Sequence, residues 1–266
     1  NLPKLDKKDL VTLEILDAQG NVVNQFSSKK DSTYVKYEGN PPRRATISRS
    51  EGMNRFVWNL RHDMLPGVPK VYIEGSFRGH KAIPGNYRLR LKYGEKTLET
   101  QAEIKTNPLY ETTREEYQAY HDFMTKGEKT YREMTQMTNT LYDIQGKLKE
   151  VMSQLNAPEN AELKKKAGEL LAEMKAFDET MVQRLSKAYD DVENFENGFT
   201  AHYLTAINQM DGSIVKITEG ARKRVSELNS EWELHKKKGS DMLKNKVPAM
   251  NKALFDSGFG ALYAKK

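Results

Sequence analysis

The feature that most constrains this chain is a change of hydrophobic period part-way along it. From Tyr117, the positions Tyr120, Met124, Gly127, Tyr131, Met134, Thr138, Leu141, Gln145, Leu148, Met152 and Leu155 step alternately by three and four. Most are apolar or aromatic, and a stripe of that spacing lies on one face of a long α-helix. Thr112 and Thr113, followed by Glu115 and Glu116, form a start signal, and Asn156-Ala157-Pro158 is a stop. The rhythm resumes with Leu163, Ala167, Leu170, Met174, Phe177, Met181 and Leu185. A shorter helix carries Leu204, Ile207 and Met210 and is broken at "MDGS". A last long helix from about Thr218 carries Val225, Leu228, Trp232, His235 and Met242, is kinked or restarted at Pro248, and closes with Met250, Leu254 and Phe255. Short loops between such helices predict an antiparallel bundle of three to four helices over residues 108–262. The Met and Tyr stripes are read as its core, with no cofactor needed to explain them.

Upstream the period is two. Val11, Leu13 and Ile15 alternate with Leu10, Thr12 and Glu14; "DAQGN" supplies turn residues, and Val22, Val23 and Phe26 continue the pattern. A second hairpin follows "IPG". Tyr87, Leu89 and Leu91 share one face, Arg88, Arg90 and Lys92 the other; Tyr93-Gly94-Glu95-Lys96 turns the chain; Leu98, Ala102 and Ile104 are the inward positions of the return. Between the hairpins, "NRFVWNL" predicts a strand with Phe56, Trp58 and Leu60 on one face. Trp58 is therefore read as core, with an exposed carbohydrate-stacking platform as the alternative. Together these segments predict an antiparallel β-sandwich, Ig-like or fibronectin-III-like, over residues 10–107, after a linker at 1–9. The expected fold class is thus multidomain α and β.

Composition bounds the function. The 266 residues contain no cysteine, which removes disulfides and thiolate metal sites. Mean hydropathy is −0.79, and no apolar run approaches a membrane span. Residues 1–108 hold 19 Lys+Arg against 12 Asp+Glu, whereas 109–266 hold 24 against 25. A basic first half suits an acidic glycan or an acidic partner domain, or serves simply as a solubilising surface. No compact Arg/Lys–aromatic reader motif points to nucleic acid. Arg43, Arg44, Arg61 and Arg78, with Arg49, lie in or beside the two long loops and are the candidate binding residues; they form one basic patch if those loops converge. On that reading, exposed Tyr34, Tyr37, Tyr72 or Phe77 would stand beside them.

Catalytic signatures are missing. There is no nucleophile elbow, P-loop or dinucleotide fingerprint, and nothing selects a carboxylate pair from Asp31, Glu38, Glu51, Asp63 and Glu74. His62, His80, His121, His202 and His235 show no metal-ligand spacing and read as surface or bundle residues. The expectation is no catalytic residue, no cofactor and no metal site.

The ordered segments "LEILDAQGNVV", "GMNRFVWNLR", "IPGNYRLRLKYGEKTLETQAEIKTNP" and "VPAMNKAL" resemble the C-terminal region of large BNR-repeat, sortilin-like proteins of Bacteroidetes and related bacteria. Those proteins are commonly labelled glycosyl hydrolases. Asn59 stands where that family often has Asp, and Asn107-Pro108 where it often has Asp-Pro. The resemblance implies an extracytoplasmic protein with an upstream β-propeller in the same polypeptide, to which the hydrolase label belongs. The chain starts at Asn1 rather than Met, which fits a processed or trimmed piece. The expected role is a non-catalytic accessory region that packs on or presents the propeller. The alternative is a module that binds a glycan or another anionic ligand, or a protein, through its Arg-rich loops.

Overall fold

The computed structural model describes residues 1–212 and 215–264. It contains a four-stranded antiparallel sheet followed by a multi-helix bundle. The strands are β1 (Val11–Leu16), β2 (Val22–Ser27), β3 (Gly85–Tyr93) and β4 (Lys96–Ile104), in the order β2-β1-β3-β4. Both expected hairpins form, and β1 joins them by pairing with β3, Glu14 opposite Arg90. Asp17 closes the first turn by accepting from the backbone N–H and side-chain amide of Asn21, while Gly20 supplies a φ of 89°.

Register sorts the side chains as the alternation predicts. Val11, Leu13, Ile15, Phe26, Tyr87, Leu89 and Leu91 share the apolar face. The other face is a charge ladder. Glu14, 8% exposed, accepts from Lys92 Nζ at 2.8 Å and Arg90 Nη1 at 3.2 Å. The Lys92 hydrogen bond, opposed by burial and reinforced by Arg90, holds its carboxyl below the usual range. A carboxylate depressed on folding contributes stability that is present above its unfolded pKa and lost as pH falls through the folded value. Glu14→Gln is therefore expected to cost about 1–2 kcal/mol at neutral pH. The gap between the two proteins should close below about pH 4 in urea titrations.

One sheet is present among the described residues. The facing layer is an irregular extended chain rather than a second sheet. Ile47, Phe56 and Trp58 lie over the apolar face: Phe56 sits 4.6 Å from Phe26 and Trp58 5.8 Å, edge-on, from Tyr87. Trp58 is half-buried core, and its indole N–H donates to Arg61 O at 2.9 Å. The "NRFVWNL" stretch keeps its in–out alternation as far as Trp58 without pairing as a strand. Leu60 leaves the pattern because its φ is 56°, which turns the side chain out to 46% exposure. Leu98, expected inward, is also exposed, since nothing covers that part of β4.

The helices are α1 (Arg114–Met152), α2 (Ala161–Met181), α3 (Phe199–Asn208), α4 (Glu219–Asp241) and α5 (Val247–Asp256). Thr113 and Glu116 form a reciprocal capping box on α1, and Thr218 caps α4. The α1 stripe is buried from Tyr131 to Leu148 against Leu170, Met174, Leu204, Ile207, Val225, Leu228 and Trp232, while Tyr120 and Met124 pack in a separate cluster with Val215. Gly127 lets α1 approach α3: a Cβ there would stand 3.0 Å from Ile207 Cγ2. Leu185 and Phe255, read as part of the stripes, are exposed; α2 has already ended at Met181. In the expected "MDGS" break, Ser213 lies outside the described residues. Pro248 acts one turn ahead of itself. Lacking an N–H, it cannot continue the i→i−4 ladder, and Met242–Lys246 widens to a π-turn with Val247 N–H on Met242 O. No helix among the described residues is long and apolar enough to cross a membrane.

The helical core is not built from helices alone. Leu65, Val68, Val71, Ile73 and Phe77, from the loop before the second hairpin, are buried in it. The stretch between residues 60 and 82 thus ties the sheet to the bundle, although the sequence pattern changes near residue 108.

Candidate functional site

That tie is a short irregular ladder. Ala82 N–H donates to Leu60 O, His62 N–H to His80 O and Leu65 N–H to Phe77 O, at 2.7–2.9 Å, with an antiparallel bridge at Arg61 and Lys81. Directly opposed residues in an antiparallel pair project from the same side. The register therefore puts Arg61 beside Lys81, and His62 beside His80. Asn24 of β2 secures the segment, its buried amide donating to Arg61 O and His62 O.

The Arg61/Lys81 pair meets Asp211. Its carboxylate takes Arg61 Nη1 at 2.5 Å and the Tyr120 hydroxyl at 2.6 Å, with Lys81 Nζ at 4.0 Å. Burial, then the Asp211 hydrogen bond and charge, push the Tyr120 phenol far above its ordinary range, so it stays a donor.

The His62/His80 pair meets α1. The two rings stack at 3.8 Å with 12° between their planes. His80 Nε2 lies 3.0 Å from His121 Nδ1. On its other side His80 is held by Glu128, two turns along α1 from His121 and about 10.5 Å further down the helix axis. Glu128 Oε1 accepts the His80 backbone N–H at 2.6 Å, and Oε2 stands 3.1 Å from His80 Nδ1, off the line of a straight hydrogen bond. His80 is 1% exposed and Glu128 5%. Burial, then the neighbouring His80 and His121, push His62 down to about 3. Burial and His80 also lower His121. Both imidazoles are therefore neutral in neutral solution.

Among the described residues these three histidines are the one group of metal-ligating side chains close enough to share an ion, each offering a nitrogen within 4.8 Å of the others. His62 and His121 also line a cavity of about 850 Å³, walled by the β1–β2 turn, the start of β3, the end of β4 and the first turns of α1. His202 and His235 stand elsewhere: His202 contacts Asn197 O, and His235 lies edge-on to Phe199.

Spacing along the chain gave no hint of this cluster. The signal that was there is a mirror: Arg61-His62 and His80-Lys81 are symmetric about residue 71, as two opposed strands of a ladder must be.

The candidate arginines do converge. Arg43, Arg44, Arg61 and Arg78 line one groove of about 210 Å³ between the loops. Two are already engaged, Arg44 with Asp63 at 2.7 Å and Arg61 with Asp211. Arg43 donates to Asp31 O at 2.7 Å and its charge helps to lower the Asp31 carboxyl, but neither Arg43 nor Arg78 forms a carboxylate ion pair among the described residues. Arg49 lies apart, donating to the carbonyls of Asp6 and Lys7. Of the aromatics expected beside the arginines, only Tyr34 is there, with Arg43 5.6 Å over its ring. Tyr37 bonds Val68 O, Tyr72 lies against Tyr189, and Phe77 is buried. No family model matches this chain, and no curated protein or solved structure is significantly similar to it.

Proposed function

We propose that this chain is a non-catalytic accessory region of an extracytoplasmic bacterial protein, a rigid brace that packs on or presents a β-propeller of the same polypeptide. The observation that carries the reading is the shared core. The loop from Leu65 to Phe77 buries its apolar residues among the helices, and Asp211 and Glu128 grip the same segment from the helical side. Such a joint transmits position rather than allowing the halves to swing. The Ig-like or fibronectin-III-like description of the β half is part of the proposal: Ile47, Phe56 and Trp58 occupy the place of a sandwich's second layer. The order of motifs supports the BNR-protein context. The test is co-purification of this chain with the separately expressed propeller. Association that weakens with salt is expected, because residues 1–108 carry the positive excess. Two proteins that elute independently at low salt would refute it.

The arginine groove favours a second reading, recognition of an anionic glycan. A sulfated or uronic-acid oligosaccharide should then bind this chain, and Arg43→Ala or Arg78→Ala should weaken it several-fold. Equal affinity in both variants would dismiss the groove.

A further inference from the structure

We infer that His62, His80 and His121 form a binding site for one divalent transition-metal ion, Zn²⁺ foremost, with an open coordination position facing the adjoining cavity. The inference is independent of the brace reading and stands on four observations. The three nitrogen donors already lie within 4.8 Å of one another. Tetrahedral zinc with Zn–N bonds of about 2.0–2.1 Å holds its ligand nitrogens about 3.3 Å apart, so closure needs side-chain rotation rather than backbone travel. The His80–His121 separation of 3.0 Å is already at that scale.

The second observation is Glu128. Histidine ligands of metals generally give their other ring N–H to a carboxylate or carbonyl, which fixes the tautomer. Glu128 stands beside that position for His80, its Oε2 3.1 Å from Nδ1 though off the hydrogen-bond line, and its Oε1 is anchored by the backbone N–H of the same residue, so a small turn of the ring completes the contact. It favours the proton on Nδ1 and leaves the Nε2 lone pair toward His121. Without a metal, His121 Nδ1–H donates to that lone pair. With one, the His121 proton moves to Nε2 on the cavity side, and both facing nitrogens become ligands. No net proton is released. His62 splays from its stack to bring the third lone pair in.

The third is the donor set. Three imidazoles suit Zn²⁺, Co²⁺, Ni²⁺ or Cu²⁺ and are a poor match for Mg²⁺ or Ca²⁺, which take oxygens. The fourth is placement. His80 is buried whereas His62 and His121 line the cavity, so the cavity is the side from which a fourth ligand would reach the ion. Three protein ligands and one open site is the arrangement of zinc centres that bind or activate a small molecule.

The test is titration of the whole chain with Zn²⁺ by calorimetry, and with Co²⁺ by absorption spectroscopy. Expected are one ion per chain at micromolar protein, the intense visible bands of tetrahedral Co²⁺, and no binding of Mg²⁺. Azide should shift the Co²⁺ bands by entering the open position; unchanged bands would overturn that part of the proposal. His80→Gln should abolish binding. His62→Asn, at a half-buried cavity wall where folding is least at risk, should weaken it at least 100-fold, and His202→Gln should leave it unchanged. Glu128→Gln tests a positioning role: affinity should fall about 10–100-fold while the tetrahedral spectrum persists. Absence of stoichiometric Zn²⁺ binding, or unchanged affinity in a folded His62→Asn protein, would overturn the site.

Discussion

Asp211→Ala is expected to destabilise the protein by about 3–5 kcal/mol, because it strands a buried cation. Among the described residues Asp211 is the one carboxylate paired with Arg61 and Lys81, and it also accepts from Tyr120. The Arg61 and Asp211 side chains are only 17% and 15% exposed, so solvent cannot substitute for the lost charge. The Arg61 guanidinium would keep Gly79 O, at 2.9 Å, as its one hydrogen-bond partner among the described residues. The Tyr120 hydroxyl would still accept from Lys81 N–H but lose its acceptor. In a chain of this size, each kcal/mol moves Tm by about 2–4 °C, which predicts a fall of roughly 10 °C. Asp211→Asn keeps an acceptor and should cost less than half as much. The decisive comparison is a double-mutant cycle with Arg61→Leu. Removing both partners should cost clearly less than the sum of the single changes, since the isolated charge disappears with its partner. Additive losses would mean that the pair does not hold the sheet to the bundle.

What the sequence made legible follows from how local each signal is. The period of three and four marks α1 because one helix face must be apolar along its whole length, and Thr113 and Glu116 fix its start within a few residues of chain. The period of two marks β1 and β3, where one face meets Phe56 and Trp58 and the other carries the Glu14–Arg90–Lys92 charge ladder. Pro248 announces a disturbed helix because its missing N–H is a property of the residue itself. The stretch from residue 60 to 82 has no such local mark. Its inner rungs meet polar clusters, Arg61 and Lys81 at Asp211 and His62 and His80 at His121, and its buried apolar residues Leu65, Val68, Val71, Ile73 and Phe77 keep neither period for long. Its partners lie far along the chain, with Arg61 and Asp211 150 positions apart. Histidine spacing failed for the same reason. His62 and His80 become neighbours through strand register, and His121 joins them from a helix, none of which leaves a fixed interval in the sequence.

Gly79→Ala should show how tightly that register is set. A Cβ on Gly79 would lie 2.4 Å from the carbonyl oxygens of both His62 and Asp63, and 2.6 Å from the His62 carbonyl carbon. These are backbone atoms, so no side chain can swing away to make room. The segments around residues 62 and 79 must part. The bonds that flank the contact, His62 N–H to His80 O and Leu65 N–H to Phe77 O, are the ones that would stretch. Overpacking of this kind typically costs 1–3 kcal/mol where side chains can adjust; against fixed carbonyls the expected loss is about 3 kcal/mol. The separation would also pull the His62 ring off His80, from which it now stands 3.8 Å. Gly146→Ala is the matched control. It sits on the exposed side of α1 with open space around its added methyl, and it should stabilise the helix by about 0.5–1 kcal/mol. Opposite signs for the two glycine-to-alanine changes in chemical denaturation would place the constraint in the ladder itself. If Gly79→Ala proved neutral, residues 62 and 79 could separate freely, and neither the shared core nor the histidine geometry would depend on their close approach.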